Sequence, residues 1–256
     1  MDLGIRDRVA VVAAASRGLG FATARQLVEE GVRVAICGRD ADSLARAEAE
    51  LVDLAQDKEH VLAVQADLSD PGAPLALVDQ TRERFGRVDI VVPNAGGPPN
   101  GGARAVGDDP HLWQRAFDTN FWATVRLVNA ALPTMIDGGW GRVVIIGSTA
   151  VKEPAPELVL SNATRSAVWS WAKTLASEVA VDGLTVNMAL PGLHNTDRVA
   201  ERMDADGLAK RLLTIPARRM GEPAEFASLV AYLCSDRAGF ITGVAVAADG
   251  GAMRAF

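Results

Sequence analysis

The chain has 256 residues, of which 49% are hydrophobic and 23% are charged, a composition that excludes a disordered protein and suits one complete α/β domain. Acidic residues (32) outnumber basic ones (26), which gives a formal net charge of −6 and leads us to predict no nucleic-acid partner. The amino terminus is charged where a signal peptide would be apolar, and no apolar run reaches the ~18 residues of a membrane span, so we predict a cytoplasmic protein that does not associate with membranes.

The first predicted element is a strand over residues 9–14, which is apolar throughout and ends in a Gly-rich turn. Continuous apolar strands are typical of a parallel sheet that is covered on both faces. Apolar residues then recur at helical spacing until Gly31, and a second strand follows over residues 32–37. These three elements form one βαβ unit.

The alternation of helices and strands continues along the rest of the chain. We predict helices over about 41–56 and about 73–85, and another that begins at Asp109-Pro110, with Asp as N-cap and Pro at the first helical position. The later predicted strands cover 61–64, 88–92, 142–146, 184–188 and 244–247. This pattern predicts an α/β, doubly wound, Rossmann-like fold, in which a seven-stranded parallel sheet has helices on both faces and a ligand crevice at the carboxyl ends of the strands.

We find no linker and no repeat, so we predict a single domain over residues 1–256. Two segments depart from the regular alternation. Residues 96–108 are rich in Gly and Pro and follow the end of a strand, where functional sites are commonly built. Residues 193–221 form a long excursion of mixed charge, and we predict a substrate lid over about this range.

The turn after the first strand has the composition of a phosphate-binding loop. Small residues there let backbone N–H groups and the positive end of the following helix approach a pyrophosphate. Taken alone, the segment is also compatible with a tight turn that binds nothing. The predicted cofactor-binding residues of this turn are Ala14, Ser16, Arg17, Gly18, Leu19 and Gly20.

Read together with this turn, four further segments resemble the short-chain dehydrogenase/reductase family, and within it the 3-oxoacyl-(acyl-carrier-protein) reductase branch. They are Asn94-Ala95-Gly96, Ser148, Pro191-Gly192 and Asp249-Gly250-Gly251. Their order and spacing run the whole chain. The resemblance implies a nicotinamide cofactor along the carboxyl edge of the sheet, a small-molecule ketone or secondary alcohol as substrate, and a homo-oligomer, either a tetramer or a dimer.

The charges near the end of the second strand favour NADP(H). A ribose 2′-phosphate is bound by Arg, whereas a free 2′-hydroxyl is bound by a carboxylate, and Arg39 stands at this position with Arg17 in the turn. Both resemble the corresponding residues of NADP-preferring members of the family. The alternative is that Arg39 is a surface residue at the start of a loop. The resemblance implies further cofactor contacts at Asp67, Leu68, Asn94, Ala95, Gly96, Pro191, Gly192 and Thr196.

The catalytic positions depart from the family pattern. The family transfers a proton from a Tyr, assisted by a Lys four residues later and by a Ser and an Asn. Here Ser161 and Arg165 stand at the Tyr and Lys positions, while Ser148 and Asn120 match the other two. The single tyrosine, Tyr232, lies in a late predicted helix outside this alignment. Because a Ser hydroxyl is a poorer proton donor than a phenol and an Arg does not shuttle protons, the usual acid is absent.

Lys152 and Glu153, a few residues after Ser148, could reach the crevice and supply the proton; the alternative is that they are two solvated loop charges. Two further routes can replace that acid. The resemblance places His194 beside the nicotinamide, and an imidazole titrates near neutral pH; the alternative is a loop histidine with no catalytic part. In the second route, a water held at Asn120 delivers a solvent proton through Ser161. The predicted catalytic residues are therefore Ser148, Ser161, Arg165, Asn120 and His194, with Arg165 also holding the cofactor ribose, and we predict no metal site.

The leading hypothesis is an NADP(H)-dependent oxidoreductase that acts on a ketone or secondary alcohol, in the manner of a 3-oxoacyl reductase, with a non-standard proton donor. Two alternatives keep the same scaffold. One is non-redox chemistry, such as that of a cyclase, isomerase or dehydratase, and the other is a non-catalytic nucleotide-binding subunit. The fold does not choose among them, because function depends on the site.

Overall fold

The structure is a computed structural model that describes residues 1–201 and 203–255. Seven strands form one sheet in the order β3-β2-β1-β4-β5-β6-β7, and all neighbouring strands are parallel. The strands are β1 (Val9–Val12), β2 (Arg33–Gly38), β3 (Val61–Gln65), β4 (Ile90–Val92), β5 (Gly141–Ile146), β6 (Leu184–Pro191) and β7 (Ala245–Ala248). The predicted Rossmann-like fold is confirmed.

Helices connect the strands and cover both faces of the sheet. They are α1 (Gly18–Glu29), α2 (Ala41–Ala55), α3 (Ala73–Phe85), α4 (Ala103–Val106), α5 (Pro110–Ala116), α6 (Ala123–Asp137), α7 (Val159–Val179), α8 (Asp197–Ala200), α9 (Ala205–Leu212) and α10 (Pro223–Leu233). A π-helical segment, Phe117–Trp122, joins α5 to α6. None of the described helices has both the length and the apolar character that crossing a membrane requires.

Two apolar cores lie on opposite faces of the sheet. Successive side chains of a strand point to opposite faces, so Val9 and Val11 belong to one core whereas Ala10 and Val12 belong to the other. The first core also receives side chains from α3, α6 and α7, and the second receives them from α1, α2 and α10. This two-sided burial explains why the strands are apolar without alternation.

The two irregular segments contain short helices. Residues 96–108 include α4, and Gly101 pairs with Leu158 at the start of α7. Residues 193–221 include α8 and α9, and His194 pairs with Gly221, so the two ends of this excursion lie side by side. The carboxyl ends of the strands, which these segments border, form the edge where the candidate site lies.

Candidate active site

The turn between β1 and α1 presents unpaired donors at the carboxyl edge of the sheet. Among the described residues, no acceptor receives a hydrogen bond from the amide N–H groups of Gly18, Leu19 or Gly20. A helix begins with such unpaired N–H groups and with the positive end of its dipole. This end of α1 therefore fits a pyrophosphate group.

Close packing fixes the position of the turn. A Cβ built on Gly20 would lie 2.5 Å from the carbonyl oxygen of Ala14 and 2.8 Å from Nδ2 of Asn94, so a side chain at position 20 would displace the turn. The Asn94 amide also donates to the Ala14 carbonyl over 3.3 Å, which ties the end of β4 to the turn. Gly20 and Asn94, both predicted from the sequence, thus lie together.

Ala14 has an unfavourable backbone conformation. Its φ is +47°, a left-handed value that a Cβ disfavours, and this turn ends β1 at Val12 rather than at the predicted residue 14. We expect Ala14→Gly to raise the free energy of unfolding by about 1 kcal/mol in urea denaturation. Gln56 has a φ of +55° at the end of α2, so Gln56→Gly is a matched control that should stabilise similarly.

Only the Ala14 substitution is expected to change NADPH affinity, because only Ala14 belongs to the turn between β1 and α1 that is the candidate phosphate site. A loss of stability in Ala14→Gly, with a gain in Gln56→Gly, would contradict the assignment of strain to Ala14.

Two arginines flank the entrance beside this turn. The side chains of Arg17 and Arg39 are 62% and 70% exposed, and each faces one carboxylate, Glu201 at 3.2 Å and Asp67 at 3.8 Å respectively. Exposed ion pairs of this kind contribute little to stability, so a phosphate can replace the carboxylates as the partner of the two arginines. The side chains present therefore fit a cofactor that carries a ribose 2′-phosphate.

The carboxylate of Asp67 accepts two hydrogen bonds from Ser69. Burial raises the pKa of this carboxyl group, but hydrogen bonds from the Ser69 backbone N–H (3.0 Å) and hydroxyl (2.8 Å), together with the charge of Arg39, keep the pKa below its usual value. Leu68 packs against the core beneath. Asp67 thus offers an ionised, fixed acceptor at the end of β3.

Ser161 and Arg165 lie one turn apart on α7 and contact each other. The Arg165 Nε donates to Ser161 Oγ over 3.2 Å. Its Nη1 donates to the carbonyl oxygens of Ile146 and Gly147 at 3.1 and 3.2 Å, and Nη2 donates to Ala95 O at 3.3 Å. The guanidinium therefore joins α7 to the carboxyl ends of β4 and β5.

Asn120 lies in the π-helical segment and is 2% exposed. Its Nδ2 donates to Thr164 Oγ1 over 2.9 Å, but its Oδ1 has no partner among the described groups. A cavity of about 10 Å³ lies here and is also lined by Arg165 and Asn94. Since a water needs roughly 10–15 Å³ and polar partners, this cavity is a candidate water site.

Sequence reasoning did not identify Thr164 as part of this site. Its hydroxyl accepts from Asn120 and donates to Leu160 O over 2.7 Å. Thr164 lies on the buried face of α7, where an apolar residue is the default expectation. The only sequence signal is a polar residue at a core position next to Arg165.

Ser148 follows β5 and begins a short 3-10 turn over Thr149–Val151. Its Oγ accepts a hydrogen bond from Ala150 N over 3.2 Å, and the residue is partly exposed. The turn packs against α7. Ser148 thus belongs to the same edge as Ser161.

Beyond β6, the chain places Thr196 near the phosphate-binding turn. A Cβ built on Gly18 would meet only the Thr196 methyl carbon, at 3.9 Å. Gly192 packs on the chain after β7, because a Cβ there would lie 2.6 Å from Asp249. Pro191 is the last residue of β6. Gly96 follows Ala95 beyond the end of β4 and begins the irregular segment 96–108.

His194 lies in a second cavity, which shares no lining residue with the one at Asn120. Its ring is 5% exposed and packs edge-on against Phe226 of α10, with 5.4 Å between ring centroids. Burial lowers the pKa of the imidazole, although the Gly192 carbonyl and the charges of nearby glutamates oppose this shift. A lowered pKa leaves few protonated imidazoles at neutral pH, which makes His194 a weak source of protons.

Comparison with known proteins identifies the family. Residues 13–253 match the family described as "Enoyl-(Acyl carrier protein) reductase". The 3alpha-hydroxysteroid dehydrogenase of Mediterraneibacter gnavus is 31% identical over 253 residues, which cover 98% of this chain and 99% of that protein. The chain belongs to the short-chain dehydrogenase/reductase family.

Two further members extend the comparison. The 3-oxoacyl-[acyl-carrier-protein] reductase FabG of Salmonella typhimurium is 33% identical over 249 residues, covering 97% of this chain and 98% of that protein. The solved structure of L-sorbose reductase from Gluconobacter frateurii, complexed with NADPH and L-sorbose, is 31% identical with a TM-score of 0.91, and each chain is covered completely. The short-chain dehydrogenase/reductase fold is therefore present throughout this chain, which is similar to oxidoreductases.

Proposed function

We propose that this protein is an NADP(H)-dependent oxidoreductase that interconverts a small-molecule ketone and its secondary alcohol, in the manner of a 3-oxoacyl reductase. In this proposal the Ser161 hydroxyl, polarised by Arg165, binds the substrate oxygen. The observation that carries it is the 3.2 Å hydrogen bond from Arg165 Nε to Ser161 Oγ. Among the described groups, none accepts the hydroxyl hydrogen of Ser161, so that hydrogen is available to a carbonyl oxygen.

The cofactor assignment is supported by the phosphate-binding turn, by Arg17 and Arg39, and by the NADPH-bound relative. When bound, NADPH supplies the hydride that reduces the carbonyl carbon. The N–H groups at the start of α1 would hold its pyrophosphate, and the two arginines would hold its 2′-phosphate. Asp67, Asn94 and Thr196 border the same path along the carboxyl edge.

Arg165 contributes charge as well as a hydrogen bond. As negative charge develops on the substrate oxygen, the nearby guanidinium stabilises it, and its bonds to main-chain carbonyls hold it in place beforehand. Ser148, on the facing turn, is a second hydrogen-bonding group for the substrate. This arrangement replaces the phenol and ammonium of the family with a hydroxyl and a guanidinium.

We assign proton delivery to a water beside Asn120. Ser161 gives its hydroxyl proton to the substrate oxygen, and a proton from solvent passes by way of that water back to Ser161 Oγ. This route is supported by Oδ1 of Asn120, which has no partner among the described groups, and by the small cavity beside it. His194 is the weaker candidate, because its ring packs against α10 and its pKa is lowered.

The proposal is tested by incubating the protein with NADPH and panels of ketones and 3-oxoacyl thioesters while the nicotinamide absorbance is followed. We expect substrate-dependent loss of absorbance, and alcohols with NADP⁺ should give the reverse change. NADPH binding without turnover in either direction would contradict the proposal. The family resemblance also leads us to propose a homo-oligomer, which sedimentation measures directly.

Replacement of Arg39 tests the cofactor preference. We expect Arg39→Ala to weaken NADPH binding by about 10- to 100-fold, because a charge-assisted phosphate contact contributes roughly 1.5–3 kcal/mol. NADH binding, measured by the same fluorescence titration, should change little. The control is Arg82→Ala, which removes an exposed arginine near the end of α3. Equal losses for NADPH and NADH would contradict a role for Arg39 at the 2′-phosphate.

A further inference from the structure

The second cavity has a volume of about 180 Å³ and lies among the ends of β6 and β7 and the start of α10. His194, Arg219, Gly221, Glu225 and Asp249 are the residues in its lining that matter here. For comparison, a cavity of about 150 Å³ holds a benzene molecule. The volume therefore suits a ligand of roughly six to eight non-hydrogen atoms.

One ring nitrogen of His194 is available inside this cavity. Nδ1 lies 3.2 Å from the carbonyl oxygen of Gly192, so Nδ1 carries the proton and Nε2 is an acceptor. Among the described residues, no hydrogen-bond donor reaches Nε2, and His194 as a whole residue is 5% exposed. Gly221 packs against this edge of the ring, since a Cβ there would lie 2.8 Å from both Nε2 and Cδ2.

The other polar groups of the cavity also favour a ligand that brings hydrogen-bond donors. Arg219 is committed to Glu225, with Nη1 and Nη2 each 2.7 Å from a carboxylate oxygen. Asp249 accepts from the backbone N–H groups of Gly251 and Met253, and its carboxylate remains a second negative charge. With one guanidinium against two carboxylates, the lining is net negative.

We propose that this cavity is a binding site for a small protonated amine. An ammonium N–H donates to Nε2 of His194, and its positive charge complements the carboxylate of Asp249. The site is separate from Ser161 and Arg165 and stands independently of the proposed function. It lies against the loop that leads to Thr196, because Gly221 N donates to Leu193 O (3.0 Å) and Asn195 N donates to Gly221 O (2.9 Å).

The surroundings predict a pH dependence of binding. The charges of Glu225 on α10 and of Glu222 at the start of the same helix both act on His194, while Arg219 and Asp249 line the same cavity. Protonation of Nε2 at acid pH removes the acceptor and adds a repelling charge. Binding of an amine should therefore weaken as the pH falls below the neutral range.

Titration of the full chain with ethanolamine, followed by ¹⁵N NMR of labelled histidine at pH 7.5, tests the proposal. His194→Phe assigns the His194 signal among the three histidines of the chain. We expect a saturable shift of the His194 Nε2 resonance, with His60 and His111 unmoved. Asp249→Asn should weaken binding by about tenfold, because it removes one charged partner.

Gly221→Ala is a second variant, which places a methyl group against Nε2 and should abolish the shift. Calorimetry on both variants, with thermal unfolding to show that each is folded, keeps the result interpretable if one of them is unstable. Ethylene glycol and acetate serve as neutral and anionic probes of similar size. No saturable shift with ethanolamine, or equal shifts with all three probes, would overturn the proposal.

Discussion

Ser161→Ala is expected to lower kcat for carbonyl reduction by about 10²- to 10³-fold, the effect of removing one hydrogen-bond donor from a developing oxyanion. The substitution removes the hydroxyl that receives the Arg165 Nε bond and that has a hydrogen to donate. The dissociation constant for NADPH should change little, since in the proposed function Ser161 contacts the substrate oxygen and not the cofactor. Steady-state NADPH consumption and a separate NADPH titration measure the two quantities.

The matched control is Ser170→Ala, which removes an exposed hydroxyl from the same helix and should retain kcat. A kcat for Ser161→Ala within about threefold of the parent would contradict the assigned role. If Ser161→Ala kept its kcat and His194→Asn abolished turnover, the proton donor would be His194. The double substitution Ser161→Tyr with Arg165→Lys, which restores the family pair, should change kcat if the proton passes through these positions.

Arg165→Met is expected to lower the free energy of unfolding by about 3–5 kcal/mol and to abolish measurable turnover. It leaves the carbonyl oxygens of Ile146, Gly147 and Ala95 without the guanidinium, and an unsatisfied buried acceptor costs roughly 1–3 kcal/mol. The total loss of stability stays below three times this cost, because water partly reaches these carbonyl oxygens at the carboxyl edge of the sheet. Urea unfolding measures the loss of stability, and NADPH consumption measures the loss of activity.

Lys173→Met is the control for this substitution, because Lys173 lies on the same helix and donates to one main-chain carbonyl, Gly243 O, over 2.7 Å. Lys173→Met should lower the free energy of unfolding by about 1 kcal/mol and leave activity unchanged. Arg165→Lys keeps the charge but not the planar set of donors, so it should recover only part of the stability. Equal costs for Arg165→Met and Lys173→Met would contradict the role of Arg165 as a link between strands.

The strands could be predicted because a strand that is buried on both faces has a continuous run of apolar residues. All seven predicted strands are present, and their ends differ by one or a few residues. The end of β1 differs because Ala14 has a left-handed φ, and an alanine in the sequence does not predict such a φ as a glycine would. The π-helical segment at Asn120 depends on packing against α7, which local propensity does not record.

The candidate site was predictable where side-chain type determines its chemistry. The Gly turn, Arg39 and the Ser161 and Arg165 pair are all visible in the sequence. The acceptors of Arg165 were not, because every residue has a carbonyl group and only the fold selects three of them. The packing of His194 against Phe226 was equally hidden, since it depends on where α10 lies.

If Ser161 and Arg165 support net hydride transfer from NADPH, an isotope carried by the cofactor must reach the product. The test uses NADPH that carries deuterium at both positions of the transferring carbon, so that either face delivers the label, with mass spectrometry of the product of any ketone that consumes it. We expect one deuterium on the carbinol carbon of the product, with an initial rate of labelling that falls about 100-fold or more in Ser161→Ala. A ketone converted with no deuterium in its product, or with full incorporation in the Ser161→Ala variant at the parent rate, would contradict this role of Ser161 and Arg165.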